Sequence, residues 1–174
     1  MNHLLRLLDE SDVQDYRKLR LESFLESPFA FSESYEDEKD RSLESFQLEL
    51  AKTGTPYSAF TVGAFAPNNQ LIAFARFKRD TRTKGLHKAM VFGMYTHQDF
   101  RAQGLGTSMM NFILNHAQQL TGLEQIHLWA LKSRHSNASK FYQKLGFVSQ
   151  GIVRNDLIIQ QEYVDAVYFV KYLD

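Results

Sequence analysis

Arg101-Ala102-Gln103-Gly104-Leu105-Gly106 stands between a strand-like stretch and a run with helical periodicity. Glycines at such a junction let the backbone turn tightly and let a ligand approach with no Cβ in the way. Downstream, Leu105, Met109, Phe112, Ile113, Ala117 and Leu120 recur at the spacing of one helix face, and Thr121-Gly122 stops the run. The first N–H groups of that helix have no internal partner and lie at the positive end of its dipole. A phosphate or pyrophosphate suits the position electrostatically; a purely structural turn is the other reading.

Two other phosphate loops match less well. A Walker loop requires lysine before its Ser/Thr, and here Gly106 runs directly into Thr107-Ser108. The Rossmann fingerprint places a third glycine where Met109 stands, and an acid at the end of the next strand, which residues 126–130 lack. It also belongs to an early βαβ unit, whereas this turn follows an expected antiparallel hairpin.

Upstream, residues 3–8 read as a short strand, and Ser11 with Gln14 three positions later as a capping box. Tyr16, Leu19, Arg20 and Phe24 follow at roughly helical spacing until Pro28. Residues 28–40 are aromatic and acidic, and Leu43, Phe46 and Leu50 mark a second helix ending near Gly54. Residues 57–65 and 71–77 flank the turn Pro67-Asn68-Asn69 as a hairpin, and 87–96 form a further strand. A short strand at 126–130, a short helix at 137–145 and two apolar segments at 152–159 and 163–172 complete the chain. With no repeat, low-complexity tract or linker, residues 1–174 are expected to form one domain.

Composition narrows the function. Hydrophobic residues make up 44% and charged residues 23%, and Lys+Arg equals Asp+Glu, a globular balance with no global basic field for nucleic acid. A local basic patch remains at 78–88. There is no cysteine, which excludes disulfides, thiolate zinc sites and a cysteine nucleophile. The six histidines have no close-paired metal spacing, so no metal is expected. The apolar run 4–8 is interrupted by Arg6 and is too short for a signal peptide or a membrane span, so a cytoplasmic protein with no membrane partner is expected. Trp129 is expected in the core.

A second motif joins the first. Ala138-Ser139-Lys140-Phe141-Tyr142-Gln143-Lys144-Leu145-Gly146-Phe147 and the turn at 101–106 together resemble the two signatures of the GCN5-related N-acetyltransferases (the GNAT superfamily), in the right order. The resemblance implies an α/β (α+β) fold: a mixed, mostly antiparallel twisted sheet of six to seven strands, flanked by about four helices and splayed between the fourth and fifth strands. It implies an enzyme that moves acetyl from acetyl-coenzyme A, as co-substrate, to a primary amine by direct attack in a ternary complex.

Carried over by residue, the resemblance implies that backbone N–H groups of Arg101, Ala102, Gln103, Gly104, Leu105, Gly106 and Thr107 hold the pyrophosphate. Met94, Tyr95 and Thr96 would pair with the pantetheine arm and direct an N–H at the acetyl carbonyl, an oxyanion-type donor. Tyr142 would lie near the sulfur as a general acid or thiolate hydrogen-bond donor; a phenol is a weaker acid than a thiol, so the hydrogen bond is the easier role. Relatives often contact the coenzyme through an Asn seven residues before this tyrosine. That place holds His135 here, with Asn137 two residues on; either could make the contact, and Asn137 could instead cap the helix.

The base that accepts the amine proton is open. Relatives often use a Glu on the fourth strand, but residues 91–96 carry no carboxylate. Glu33 and Glu36 in the acidic-aromatic stretch and His97 beyond the strand are the candidates. The missing strand carboxylate also motivates an alternative, a catalytically weak coenzyme-A-binding sensor or interaction module. The stretch 28–36 resembles the small-molecule branch of the family, and its acids suit a cationic acceptor; acceptor identity and oligomeric state are not readable from the sequence.

Overall fold

The computed structural model describes residues 3–132 and 137–173. Seven strands form one sheet: β1 (Leu4–Leu7), β2 (Ala59–Phe65), β3 (Leu71–Arg79), β4 (Lys88–Thr96), β5 (Gln125–Lys132), β6 (Val148–Ile159) and β7 (Glu162–Tyr172), in the order β1-β2-β3-β4-β5-β7-β6. All neighbours are antiparallel except β4 and β5. Among the described residues five α-helices join them: α1 (Val13–Glu26), α2 (Tyr35–Glu38), α3 (Leu43–Leu50), α4 (Leu105–Ala117) and α5 (Ala138–Lys144). The expected fold class is therefore observed. The helix beyond the expected four is α2, a single turn capped by Ser34 and Asp37 within the acidic stretch.

The sheet is covered on both faces, which explains why β2 and β3 read as nearly continuous apolar runs rather than alternating ones. On one face Leu105, Met109, Met110 and Ile113 of α4 pack against Val62, Ile72, Val91 and Leu128. On the other, Tyr16, Leu19 and Phe24 of α1 and Phe46 of α3 pack with Phe74 and Tyr95. Tyr16 stands edge-on to Phe74 with centroids 5.2 Å apart, a favoured aromatic arrangement.

Local signals mostly hold, with two exceptions. The N-terminal capping box lies earlier than the Ser11–Gln14 spacing suggested. Asp9 accepts from Ser11 N (3.0 Å), and Asp12 accepts from Asp9 N (3.0 Å). The capping carboxylate is Asp9, to which Ser11 Oγ itself donates (2.6 Å), while Asp12 also pairs with Arg6 at 2.6 Å. Trp129 is not in the core but 48% exposed, for a reason that lies at the site. Among the described residues, no helix is long and apolar enough to cross a membrane.

Candidate active site

The parallel seam between β4 and β5 is short. Lys88 pairs with Gln125, Ala89 with Ile126 and Met90 with His127, and there the pairing ends. Beyond it β4 stays with β3 while β5 stays with β7 for its whole length, so the two strands part and leave a V-shaped gap. In β4 the register against β3 slips between Phe74 and Arg76, and Gly93 sits there at φ +59°. The bulge redirects the second half of the strand: Met94 packs with the α4 cluster, while Tyr95 is buried in the α1 cluster.

At the open end of β4 the chain turns into α4. Ala102 (φ +60°) and Gly104 (φ +81°) are left-handed, and Gly104 is the N-cap of α4 with no side-chain cap bond. The first closing hydrogen bond runs from Ser108 N to Gly104 O (3.0 Å), so the N–H groups of Leu105, Gly106 and Thr107 precede it. A Cβ built on Gly104 meets nothing within 4 Å. The cradle is thus open and lined by main-chain donors, and it suits a pyrophosphate. Arg101 holds it in place: Nε donates to Thr96 O (3.0 Å), and Nη2 donates to Ser27 Oγ (2.9 Å) and pairs with Glu26. Tyr95 Oη also donates to Glu26 (3.1 Å). Gln103 Nε2 donates to Asp99 O (3.3 Å).

On the α4 side of the gap, the Tyr142 hydroxyl donates to Met94 Sδ at 3.8 Å. Burial pushes the Tyr142 phenol up to about 12, so it is protonated, a donor, under all ordinary conditions. Asn137 occupies the N-cap position of α5 but makes no side-chain cap bond. His135 lies outside the described residues.

On the α1 side the gap widens into a cleft of about 890 Å³. Arg20, Phe31 and Glu33 border it from the helical side, and Met90, Phe92 and Gly93 from β4. Trp129 and Tyr168 form its far wall, with ring centroids 4.7 Å apart. His127 lies beneath them. Its Nε2 meets Gln125 Oε1 (2.9 Å) and its Nδ1 contacts Tyr168 Oη. An amide oxygen only accepts, so Nε2 carries the proton and Nδ1 accepts from the phenol. Burial, then the Lys88 and His87 charges, lower the His127 pKa.

The sequence candidates for the base do not converge. Glu33 borders the cleft; Glu36 is not among its lining residues and pairs with Lys39 Nζ at 2.6 Å. His97 accepts from Asp99 N (3.3 Å) in the turn after β4.

The acetyltransferase (GNAT) family profile matches residues 14–147. The chain belongs to that family. As a GNAT protein it is an acyltransferase that uses acetyl-coenzyme A. No curated protein matches it in sequence. Among solved structures it resembles a GNAT-family acetyltransferase from Streptococcus pneumoniae (20% identity, TM-score 0.86, covering 99% of this chain and 100% of that one). It also resembles a GNAT phosphinothricin acetyltransferase from Sinorhizobium meliloti solved with AcCoA (19%, 0.82, 99% and 89%), and yncA from Salmonella typhimurium with acetyl-CoA (15%, 0.78, 100% and 95%). At these identities the likeness is one of fold.

Three features of this GNAT site escaped sequence reading: the Trp129–Tyr168 wall, the His127–Tyr168 contact and the burial of Arg20. Odd positions of β5 face the cleft while Ile126, Leu128 and Ala130 face α4, so the strand alternation was present in sequence. Which face lay open was not. Arg20, 3% exposed, is the more unusual. Its carboxylate neighbours Glu33, Glu38 and Glu49 stand 3.7–3.9 Å away. Two of these are engaged by others: Glu38 takes Arg41 (2.5 Å), and Glu49 takes Arg41 (2.7 Å), Arg76 (3.0 Å) and Tyr16 Oη (2.8 Å). Among the described residues, Arg20 Nε and Nη1 have no hydrogen-bond partner, an arrangement that costs about 1–3 kcal/mol per donor.

Proposed function

We propose that the chain transfers acetyl from acetyl-coenzyme A to a primary amine of a small molecule, by direct attack in a ternary complex. One observation carries this reading: the β4–β5 gap has Tyr142 on one face and an 890 Å³ cleft on the other. The two substrates can therefore reach one point from opposite sides. The absence of any cysteine supports direct attack over a cysteine-bound acyl intermediate, and the acetyl-CoA complexes among the structural neighbours support the choice of donor.

In this reading the main chain of residues 101–107 binds the pyrophosphate, the 94–96 edge of β4 pairs with the pantetheine arm, and Asn137 or His135 adds a contact. An N–H at the β4 edge polarises the acetyl carbonyl. The amine lone pair forms the new C–N bond as the C–S bond breaks, the sulfur keeps that electron pair, and Tyr142 stabilises it by hydrogen bonding. The nitrogen proton leaves to Glu33, the candidate carboxylate that borders the cleft. Products are the N-acetyl amine and coenzyme A, whose thiolate takes a proton from solvent to give the free thiol.

Release of free thiol from acetyl-coenzyme A across a broad panel of primary amines tests the proposal, with the acetylated product identified by mass. Only slow hydrolysis, with no acetylated amine anywhere in the panel, would favour a coenzyme-A-binding sensor instead.

A further inference from the structure

The buried guanidinium of Arg20, with three carboxylates at 3.7–3.9 Å and two nitrogens that make no hydrogen bond among the described residues, points to the acceptor's chemistry. Arg20 lines the cleft at 3% exposure, and Nε and Nη1 lack hydrogen-bond partners among the described residues. Its surroundings are built to accommodate it. Gly93 at the β4 bulge leaves room for the head group, since a Cβ there would stand 3.1 Å from Arg20 Nη1. Phe24 packs under it with the ring centroid 5.0 Å from Cζ. The nearest carboxylates remain beyond hydrogen-bond reach, and Arg41 and Arg76 hold two of them. Nε and Nη1 have almost no accessible surface, so a carboxylate entering the cleft meets the guanidinium at the edge that lines it.

The rest of the cleft agrees. Glu33 Oε1 lies 3.9 Å from Arg20 Nη2, so an acid and a base face the cleft side by side, the complement of an ammonium and a carboxylate on the same small molecule. Lys78 and Lys88 line the cleft as well, whereas Arg82 is matched by Asp80 at 2.5 Å. Opposite, Trp129 leaves 48% of its surface exposed against Tyr168, an apolar wall for a side chain.

We infer that the acceptor is an α-amino acid with an apolar or aromatic side chain: its carboxylate binds Arg20, its amino group faces Glu33, and its side chain lies on the Trp129–Tyr168 wall. The inference rests on the acetyl-transfer reading and leaves that reaction unchanged, so the product is an N-acetyl amino acid. Because a Cβ on Gly93 would stand 3.1 Å from Arg20 Nη1, and Gly93 adjoins Met94, whose strand edge that reading assigns to the acetyl group, a carboxylate on Arg20 lies near the amine. That favours α-amino acids over amines with a distant acid.

The experiment compares matched acceptors: L-phenylalanine, L-phenylalaninamide and 2-phenylethylamine. The amide has the more acidic ammonium and so the larger neutral fraction near pH 7; chemistry alone favours it. We expect kcat/KM for L-phenylalanine to exceed both others by at least 100-fold. Arg20→Gln should remove that preference, lowering kcat/KM for L-phenylalanine far more than for 2-phenylethylamine, and Arg20→Lys should restore part of it. Equal rates for acid and amide in the wild-type protein would overturn the inference, and so would an equal loss on all three acceptors in a folded Arg20→Gln protein. Should Arg20→Gln fail to fold, the wild-type comparison decides alone. Transfer to 2-phenylethylamine without transfer to L-phenylalanine sinks only this inference, whereas no transfer to any amine sinks the acetyl-transfer reading beneath it.

Discussion

The Tyr142 hydroxyl on α5 donates to the Met94 sulfur on β4 over 3.8 Å, so a partly buried phenol is held at the strand gap by a weak acceptor. A thiolate is a far better one. Tyr142→Phe should therefore lower kcat about tenfold or more, the scale of one hydrogen bond to a charged group, with little change in KM for acetyl-coenzyme A. Since the phenol is pushed up to about 12, the wild-type rate should show no alkaline loss from Tyr142 in the usual assay range. An unchanged kcat in Tyr142→Phe would remove the residue from the chemistry.

Gly104 lies at φ +81° with open space where a Cβ would stand. Gly104→Ala should cost about 1–2 kcal/mol from the left-handed backbone, a modest drop in Tm. Gly104→Val adds bulk inside the cradle and should weaken coenzyme A binding more than tenfold by calorimetry. Unaltered affinity in a folded variant would refute the cradle.

Trp129 is exposed on the cleft wall rather than packed inside. Trp129→Ala should leave stability within about 1 kcal/mol, as for a surface change, and raise KM for an apolar acceptor about tenfold with kcat retained. A large loss of stability, with KM unchanged, would return it to a structural role.

Glu49 ties Arg20, Arg41, Arg76 and Tyr16 together. Burial pushes its pKa up, but Arg76, Arg20 and the hydrogen bonds from Tyr16 and Arg41 outweigh that and hold it below its ordinary 4.5. A carboxylate with a lowered folded pKa adds stability that is full above the unfolded value and is lost as pH falls through the folded one. Resistance to denaturant should therefore fall as pH drops below about 4.5. Glu49→Gln should cost about 3 kcal/mol at pH 7 and flatten that acid limb. An identical limb in the variant would show that the pairing does not stabilise the fold.

Glu33→Gln tests the proton acceptor. It should lower kcat/KM about 100-fold, the lower end for general base catalysis, with the deficit shrinking at high pH as free amine accumulates. A pH-independent loss would assign Glu33 to binding alone.

Much of the fold was legible because its signals are local. Pro28 ends α1 near Glu26, and Gly104 opens α4, since backbone restrictions act at neighbouring residues. Asp9 and Asp12 displaced the expected Ser11 cap because Arg6, from β1, reinforces Asp12, a partner that cap spacing does not reveal. The coenzyme half of the candidate site came from contiguous motifs. The acceptor half did not, because it is assembled from α1, β4, β5 and β7.

By itself, the sequence determined the glycine turn, the amphipathic helix behind it and the motif carrying Tyr142, since each depends on spacing along one element. Only the tertiary structure decided where β4 and β5 part, after Met90 and His127, that Trp129 faces an open cleft and that Arg20 is buried near Gly93. The reason is physical. A strand has two equivalent faces and a helix many, and which of them is covered is set by elements distant in sequence that pack against them.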